Sequence, residues 1–423
     1  MLELTFLREH REEAEQRLSK RNIDAKGLLD QAATLDATRR TTQTELDARL
    51  ADLNTLSRTI GELMKAGKKD EAEAAKARTT ELKADTAALK EKLDAAEKAL
   101  HDHLCTIPNA PSAKVPAGRT PEENVVVTQE GEIPELGPDA KPHWELGEAY
   151  GLFSLDLGVK VTGAGFPVYS GQGAKLQRAL IAFFLDRATD AGYREVVPPH
   201  LVNAASAFAT GQLPDKEGQM YHATEDDLYL IPTAEVPITN LYRNETVDAA
   251  QLPIKMVGYT PCFRREAGSY GKDVRGLNRV HQFDKVEIVR IEKPENSYAA
   301  LEGMVEHVKG LLRALELPYR QLLLCGGDMG FASAMTYDME VYSAAQQRWL
   351  EVSSISNFET FQSNRLKLKF KEDKKNRLAH TLNGSALALA RIVAALLENN
   401  QGPDGIRIPP ALRPYTGFST IVK

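Results

Sequence analysis

The residues best suited to chemistry lie close together between Thr260 and Glu287, in the stretch TPCFRREAGSYGKDVRGLNRVHQFDKVE. Apolar flanks around a glycine-bearing middle predict a strand over 256–266, a loop with glycines at 268, 271 and 276, and a second strand over 280–291. Side chains alternate faces along a strand, so Arg264 and Glu266 are expected on one face, as are Phe283 and Glu287 on the returning strand. A cation, two carboxylates and an aromatic ring would then line one wall. Phe283 and Glu287 lie roughly 13 Å apart along such a strand. That leaves room for a flat base at one end, an amine at the other, and a phosphate beside Arg264 between them.

No GxxxxGK[ST] phosphate loop occurs, and Gly171-Gln172-Gly173-Ala174 lacks the third glycine of a dinucleotide fingerprint. Any phosphate binding would therefore fall to arginines, whose guanidinium is always charged and offers a fixed fork of donors. Arg264 and Arg391, the latter on a predicted helix after Asn383-Gly384-Ser385, are the two candidates. A single arginine is more commonly found in a surface ion pair. Glu351-Val352-Ser353-Ser354 supplies a carboxylate and a hydroxyl three residues apart, hard oxygen donors that suit Mg2+ bridging phosphates. Thr233-Ala234-Glu235 after a strand offers acceptors for an ammonium or a small hydroxyl, but read alone it is better taken as a helix cap followed by a first-turn acid. Phe283, also read alone, is more simply a core side chain.

These residues need a large scaffold, and the chain supplies one. Its 423 residues suggest two or three domains, and 42% hydrophobic with 26% charged residues is the composition of an ordinary water-soluble protein. A formal net charge of −6 argues against a general nucleic-acid coat and leaves room for a local basic face. Cys105, Cys262 and Cys325 have neither metal-ligand nor redox spacing, so zinc is not expected and reduced thiols are. With no signal-peptide pattern and no apolar run of membrane length, the expected compartment is the cytoplasm, with no membrane partner.

The first hundred residues follow a different rule. Positions 28, 32, 35, 39, 42, 46, 49, 53, 56, 60 and 63 step by four and three, and eight of these eleven are apolar, which is a heptad seam. After a five-residue turn at 66–70 the pattern resumes at 75, 79, 82, 86, 89, 93, 96 and 100. Two such helices fold back as an antiparallel hairpin, an arm of about 54 Å for the 36 residues from 28 to 63. Periodicity alone favours a coiled coil for support or dimerisation over a rod that reaches a partner. Residues 28–100 carry 13 Lys+Arg and 14 Asp+Glu, so charge does not decide, although Arg39, Arg40, Arg49, Arg58, Lys76, Arg78, Lys83 and Lys90 could form stripes for phosphates.

Prolines at 108, 111, 116 and 121 mark residues 106–124 as a linker between an N-terminal helical domain, 1–105, and a larger domain, 125–423. In the larger domain strands are predicted over 125–127, 195–197 and 228–231, and helices over 173–191, 297–315 and 385–398. Strands without regular βαβ alternation predict an α+β fold, a mainly antiparallel sheet with flanking helices.

Taken together, the order and spacing of these signals resemble the class II aminoacyl-tRNA synthetases, and within them the seryl-tRNA synthetases of bacterial type. KLQRALIAFFLDRATDAGYREVVPP (175–199) is similar to motif 1, Phe263-Arg264-Arg265-Glu266 with HQFDKVE to motif 2, and HTLNGSALALAR (380–391) to motif 3. TAEVPITN (233–240) and EVSSISN (351–357) match serine-specific elements, and the ending IRIPPALRPYTGF is also similar to the family's. The resemblance spans essentially the whole chain. It implies an antiparallel-sheet active site, ATP and Mg2+ as reactant and cofactor, a homodimer built on motif 1, and an arm that grips tRNA(Ser) by its shape. It also admits tRNA(Sec) as a second acceptor. The arm thereby changes from a support to an RNA grip.

By position, the resemblance implies that Arg264 contacts the α-phosphate, Glu266 the adenine amino edge, Phe283 the adenine face and Arg391 the γ-phosphate. Val280 would touch the nucleotide through its backbone, with Arg265, Val352 and Ser353 also at the ATP site. Glu351 and Ser354 would bind Mg2+, and Thr233, Ala234, Glu235, Glu287 and Ser385 would surround L-serine. The loop 267–279 would meet the tRNA acceptor end. Asn364-Arg365 departs from the two arginines frequent in relatives, which puts a secondary phosphate or RNA contact in doubt. Two competing readings are weaker. A carrier-protein ligase of the same fold would lack the arm and carry cysteine-ligated zinc, and a coiled-coil interaction protein would not need Arg264, Glu266, Glu287, Glu351 and Arg391 together.

Overall fold

The structure is a computed structural model that describes residues 1–215, 218–266 and 275–423. The chain divides into two compact units, Met1–Ser19 with Ile23–Pro108, and Lys20–Asn22 with Asn109–Lys423.

The first unit is a helical hairpin. Helix α1 (Ala25–Lys65) starts where the Asp24 side chain accepts from the Gly27 amide at 2.9 Å, and α2 (Lys69–Leu104) returns beside it. Only Ala66, Gly67 and Lys68 lie between them, with Gly67 at φ 72°, so the turn is three residues rather than five and α1 has 41 residues rather than 36. The heptad positions are buried or half-buried in both helices, with Arg49 alone exposed among them. Leu46, Leu82, Leu93 and Leu100 are enclosed, each contributing about 1.5–3 kcal/mol of apolar burial. His103 Nε2 meets the Leu28 carbonyl at 2.8 Å and holds the two ends of the hairpin together. The polar face instead carries ion pairs one turn apart, such as Lys76–Glu73 and Arg78–Glu81, between side chains 48–69% exposed.

The second unit is built on an eight-stranded sheet. In chain order its strands are β1 (Val125–Glu130), β2 (Arg194–Glu195), β3 (Ile254–Phe263), β4 (Gln282–Glu292), β5 (Tyr319–Leu323), β6 (Met335–Ser343), β7 (Arg348–Asn357) and β8 (His380–Ala388). They lie in the order β1-β5-β6-β7-β8-β4-β3-β2. Every pairing is antiparallel except that of β2 with β3. Helices α3 (Gly171–Asp190), α5 (Ser297–Ala314) and α7 (Leu389–Asn399) pack on one face, where Phe183, Met304 and Ile392 meet Val257, Val286, Ile288 and Ile355 in one core. Two short helices, α4 (Glu235–Asn240) and α6 (Phe361–Leu366), cover part of the other face through Ile238 and Leu366 against Met256 and Val289.

Two expectations change here. Residues 385–388 belong to β8 rather than to a helix, so motif 3 is a strand that leads into α7 at Leu389. The proline-rich segment 109–118 is no loose linker. Asn109 is 1% exposed, and its side-chain Nδ2 donates to the carbonyls of Ala332 and Phe358 at 2.9 and 2.8 Å. Its own carbonyl accepts from Arg21 Nε at 3.1 Å, while the rest of that guanidinium donates to the carbonyls of Met329 and Ser333. Prolines deprive such a segment of amide donors, and the scaffold meets its carbonyls with side chains instead.

Candidate active site

On β4 the alternation holds, so Phe283, Lys285 and Glu287 share the face opposite Val286 and Ile288, with Phe283, near the strand's start, also touching the main core. Their partners across β3 are Cys262, Thr260 and Gly258. Gly258 is required there, because a Cβ would lie 2.7 Å from Ile238 Cδ1 and 2.9 Å from the Val196 carbonyl, and α4 could not approach. That approach brings Thr233 and Glu235 to the strand. Lys285 Nζ lies 2.8 Å from Thr233 Oγ1 and 2.7 Å from Glu287 Oε2, and Ser385 Oγ donates to the same carboxylate oxygen at 3.4 Å. Lys285 was absent from the sequence-derived set, although its place two residues from both Phe283 and Glu287 marks it as facing the same way.

Glu235 is held from α6. Gln362 Nε2 donates to Glu235 Oε1 at 2.6 Å and to the Thr210 carbonyl at 3.1 Å, while its Oε1 accepts from Thr381 Oγ1 at 2.7 Å. Burial first, and then the Glu287 charge, push the Glu235 carboxyl up to about 7, against the Gln362 hydrogen bond and Lys285. Thr233 Oγ1 accepts from the Glu235 amide at 3.2 Å, so the cap reading and the site reading both apply to that hydroxyl. Ala234 faces the apolar cluster with Ile238. The result is a small buried enclosure with one ammonium, two carboxylates and hydroxyls, suited to a small zwitterion that carries its own hydroxyl. Arg365, one turn after Gln362, has its guanidinium 4.4 Å from the Phe208 ring and 4.9 Å from the Phe361 ring and donates to the Phe208 carbonyl at 2.9 Å. In this chain it braces the wall of that enclosure.

The other end of β4 departs from expectation. Strand β3 stops at Phe263, and Glu266 has φ 48°, in the left-handed region, so Arg264 and Glu266 do not share a strand face. Arg264 turns its guanidinium to 5.3 Å from the Phe283 ring and its Nε to 3.4 Å from the Pro232 carbonyl. Glu266 pairs with Arg279. Arg265 is exposed beside the Tyr221 ring, and Val280 is buried just ahead of β4. Residues 267–274 of the loop expected to meet RNA lie outside the described residues.

Glu351 and Ser354 come together by a bulge. Residues three apart on a regular strand face opposite ways, but Glu340 pairs with Glu351 while Met339 pairs with Ser353, which leaves Val352 as an extra residue. Glu351 and Ser354 therefore lie opposite Glu340 and Asp338, two residues apart on one face of β6. The Val352 side chain enters the core, and Ser353 Oγ donates to the Ser385 carbonyl at 2.5 Å. Burial, with the Glu351 charge next, raises the Asp338 carboxyl well above the usual range, and its Oδ1 has no hydrogen-bond partner among the described residues. An unmet carboxylate oxygen beside Glu351 and the Ser354 hydroxyl fits a hard cation held mainly by a ligand's phosphates. No group of three His, Cys, Asp or Glu side chains among the described residues forms a metal cage. Arg391, at the start of α7, reaches this edge, donating to the Glu351 carbonyl at 2.7 Å and the Asn278 carbonyl at 2.9 Å.

An antiparallel sheet with arginines at both ends of one polar face is the core of a class II aminoacyl-tRNA synthetase, and the family described as "tRNA synthetase class II core domain (G, H, P, S and T)" matches residues 219–400. The "Seryl-tRNA synthetase N-terminal domain" family matches residues 1–111. The chain is 50% identical to the serine–tRNA ligase of Salinibacter ruber over 100% of this chain and 99% of that one, and 47% identical to that of Chlorobium luteolum over the same shares. The solved structure of seryl-tRNA synthetase from Pyrococcus horikoshii complexed with ATP superposes with a TM-score of 0.93 at 34% identity, covering 100% of this chain and 99% of that one. The chain belongs to the serine–tRNA ligase family. No described helix is long and apolar enough to cross a membrane.

Proposed function

We propose that the chain joins L-serine to tRNA(Ser) in two steps on this sheet face. In the first, a serine carboxylate oxygen attacks the α-phosphorus of ATP, the bond to the bridging oxygen breaks, and pyrophosphate leaves. In the second, a terminal ribose hydroxyl of the tRNA attacks the seryl carbonyl carbon, releasing AMP and a proton. The observation that carries this reading is the order along β4, with the Arg264 guanidinium over Phe283 at one end and the Lys285–Glu287–Thr233–Ser385 enclosure at the other. An adenylate laid along the strand puts its base at Phe283 and Glu266 and its seryl group at Glu287, with Thr233, Glu235 and Ser385 around the amine and hydroxyl.

Such a reaction mostly needs positioning and charge neutralisation. Arg264 would steady charge on the α-phosphate and Arg391 the departing pyrophosphate. Glu351 and Ser354, with Asp338 beside them, would hold Mg2+, which when bound neutralises phosphate charge. The buried donors and acceptors near Glu235 reject alanine, because they would be left unpaired without a substrate hydroxyl. The hairpin α1–α2 would grip tRNA(Ser), consistent with the match of its unit to the seryl-tRNA synthetase N-terminal family. Val197 near the end of motif 1 and Leu201 just beyond it, 86% and 46% exposed, support a homodimer built there, and the compartment would be the cytoplasm.

Serine-dependent ATP–pyrophosphate exchange, measured with and without tRNA, tests the reading. Exchange that needs serine and is not driven by alanine or threonine is expected. Exchange with another amino acid in preference to serine would overturn it. Charging of tRNA(Sec) in a parallel assay tests the second acceptor.

A further inference from the structure

Away from the enclosure around Glu235 and Glu287, a second polar cluster is centred on two buried side chains of the second unit. His143 and Glu398 are both fully buried, with His143 Nδ1 2.7 Å from Glu398 Oε1. That oxygen also accepts from the His143 amide at 2.9 Å and from Gln346 Nε2 at 2.8 Å, and Ser343 Oγ donates to the other carboxylate oxygen. Burying a carboxylate demands such a shell. The far side of the imidazole is equally committed. His143 Nε2 accepts from the Leu277 amide at 2.8 Å. A backbone N–H can only donate, so the ring proton sits on Nδ1, directed at Glu398.

The corner 276–278 is shaped around this ring. Gly276 has φ 63°, and a Cβ on it would lie 2.2 Å from His143 Nε2. Asn278 is tied back through Nδ2 to Gln346 Oε1 at 2.7 Å, and its carbonyl accepts from Arg391 Nε at 2.9 Å. Arg391 and Glu398 are seven residues apart on α7, about two turns, and so lie along one side of the helix. The cluster thus closes a loop from Glu398 through His143 to the 276–278 corner and back to Arg391 on the same helix.

We propose that His143 is a positioning residue for Arg391. Its ring, oriented by Glu398, fixes the corner whose Asn278 carbonyl aims the guanidinium. The inference rests on the reading of Arg391 as a phosphate ligand. Two substitutions separate the two bonds of the ring. His143→Asn places an amide near Nδ1 and keeps a donor for Glu398 but loses the acceptor for Leu277, whereas His143→Gln places an acceptor near Nε2 and keeps the corner.

The test measures KM for ATP and for serine in ATP–pyrophosphate exchange with the full-length enzyme. His143→Asn is expected to raise KM for ATP about 10- to 100-fold, the scale of a positioning loss, with KM for serine changed less than about twofold. His143→Gln is expected to show a clearly smaller defect. In an Arg391→Lys background the His143→Asn effect should nearly vanish, because both changes act through one contact. Equal rises in both KM values, or full additivity with Arg391→Lys, would overturn the proposal. If Arg391→Lys alone leaves KM for ATP unchanged, the phosphate reading of Arg391 fails, and the positioning role falls with it. Should His143→Asn not fold, Gly276→Ala displaces the same corner without touching Glu398, and an unchanged KM for ATP in that variant overturns the proposal as well.

Discussion

The hairpin and the sheet face use charge in opposite ways. On the hairpin, Lys76–Glu73 and Arg78–Glu81 stand in water at 48–69% exposure, one turn apart on the same helix. On the sheet, Lys285 and Glu287 face each other with side chains 6% and 2% exposed, and Glu235 lies buried alongside. Exposed pairs contribute little to folding and leave their charge free for a polyanion. Buried ones are costly to create and costly to break, and they hold fixed geometry for a small ligand. One region is therefore built to be felt from outside, the other to enclose.

Five measurements could break that contrast. Deleting residues 28–100 and joining the ends with a short linker, which the His103–Leu28 contact permits, should lower tRNA charging by roughly 10³-fold or more through lost phosphate contacts. Serine-dependent exchange should stay near normal, and surviving charging would show that the hairpin is no RNA grip. Lys285→Met strands Glu287 in the interior and should cost about 3–5 kcal/mol in urea unfolding. A loss below about 1 kcal/mol would mean that the site is wetter than its burial indicates. Arg264→Ala should slow adenylate formation about 100-fold or more, and near-normal exchange would sink its assigned role.

The fourth measurement concerns pH. Glu235 keeps its proton in the folded chain up to about 7 but releases it near its ordinary 4.5 when unfolded. Its stabilising contribution is thus complete below about pH 4.5 and is lost as pH rises toward 7. Between pH 5 and 7 the wild type should lose about 2 kcal/mol that Glu235→Gln does not lose, read as the pH dependence of the difference in their urea midpoints. A constant difference across that range would contradict the buried-acid picture. Smallest of all, Arg78→Ala on the hairpin should change unfolding free energy by less than about 0.5 kcal/mol; a larger loss would mean that the hairpin's surface charges are structural after all.

The same contrast governs what the amino-acid sequence discloses. Every seam position of the hairpin but Arg49 is buried or half-buried as the heptad pattern predicts, because a helix repeats and its contacts recur every seven residues. The sheet face offers a local signal where polar groups stand in a short run, as at Thr233 to Glu235, Arg264 and Glu351 to Ser354. It was unreadable where the chain returns from a distance. Gln362 reaches Glu235 from 127 residues away, and no local pattern announces that. Lys285 carries no local mark of burial, and its partners Thr233 and Glu287 become visible only in the fold. The expected shared face of Arg264 and Glu266 fails because alternation ends with β3 at Phe263, and the backbone at Glu266 has already turned over. Glu351 and Ser354, three residues apart, reach one face only because a bulge absorbs Val352, which periodicity does not foresee.

The three-residue turn at Ala66, Gly67 and Lys68 has a consequence of its own. With so short a cap, neither helix of the hairpin can be lengthened alone without sliding its seam off its neighbour's. An arm of this construction grows or shrinks only in matched steps, seven residues in each strand of the rod for about 10.5 Å of length. It is a ruler with coarse divisions, and whatever it measures must come in lengths that those divisions can meet.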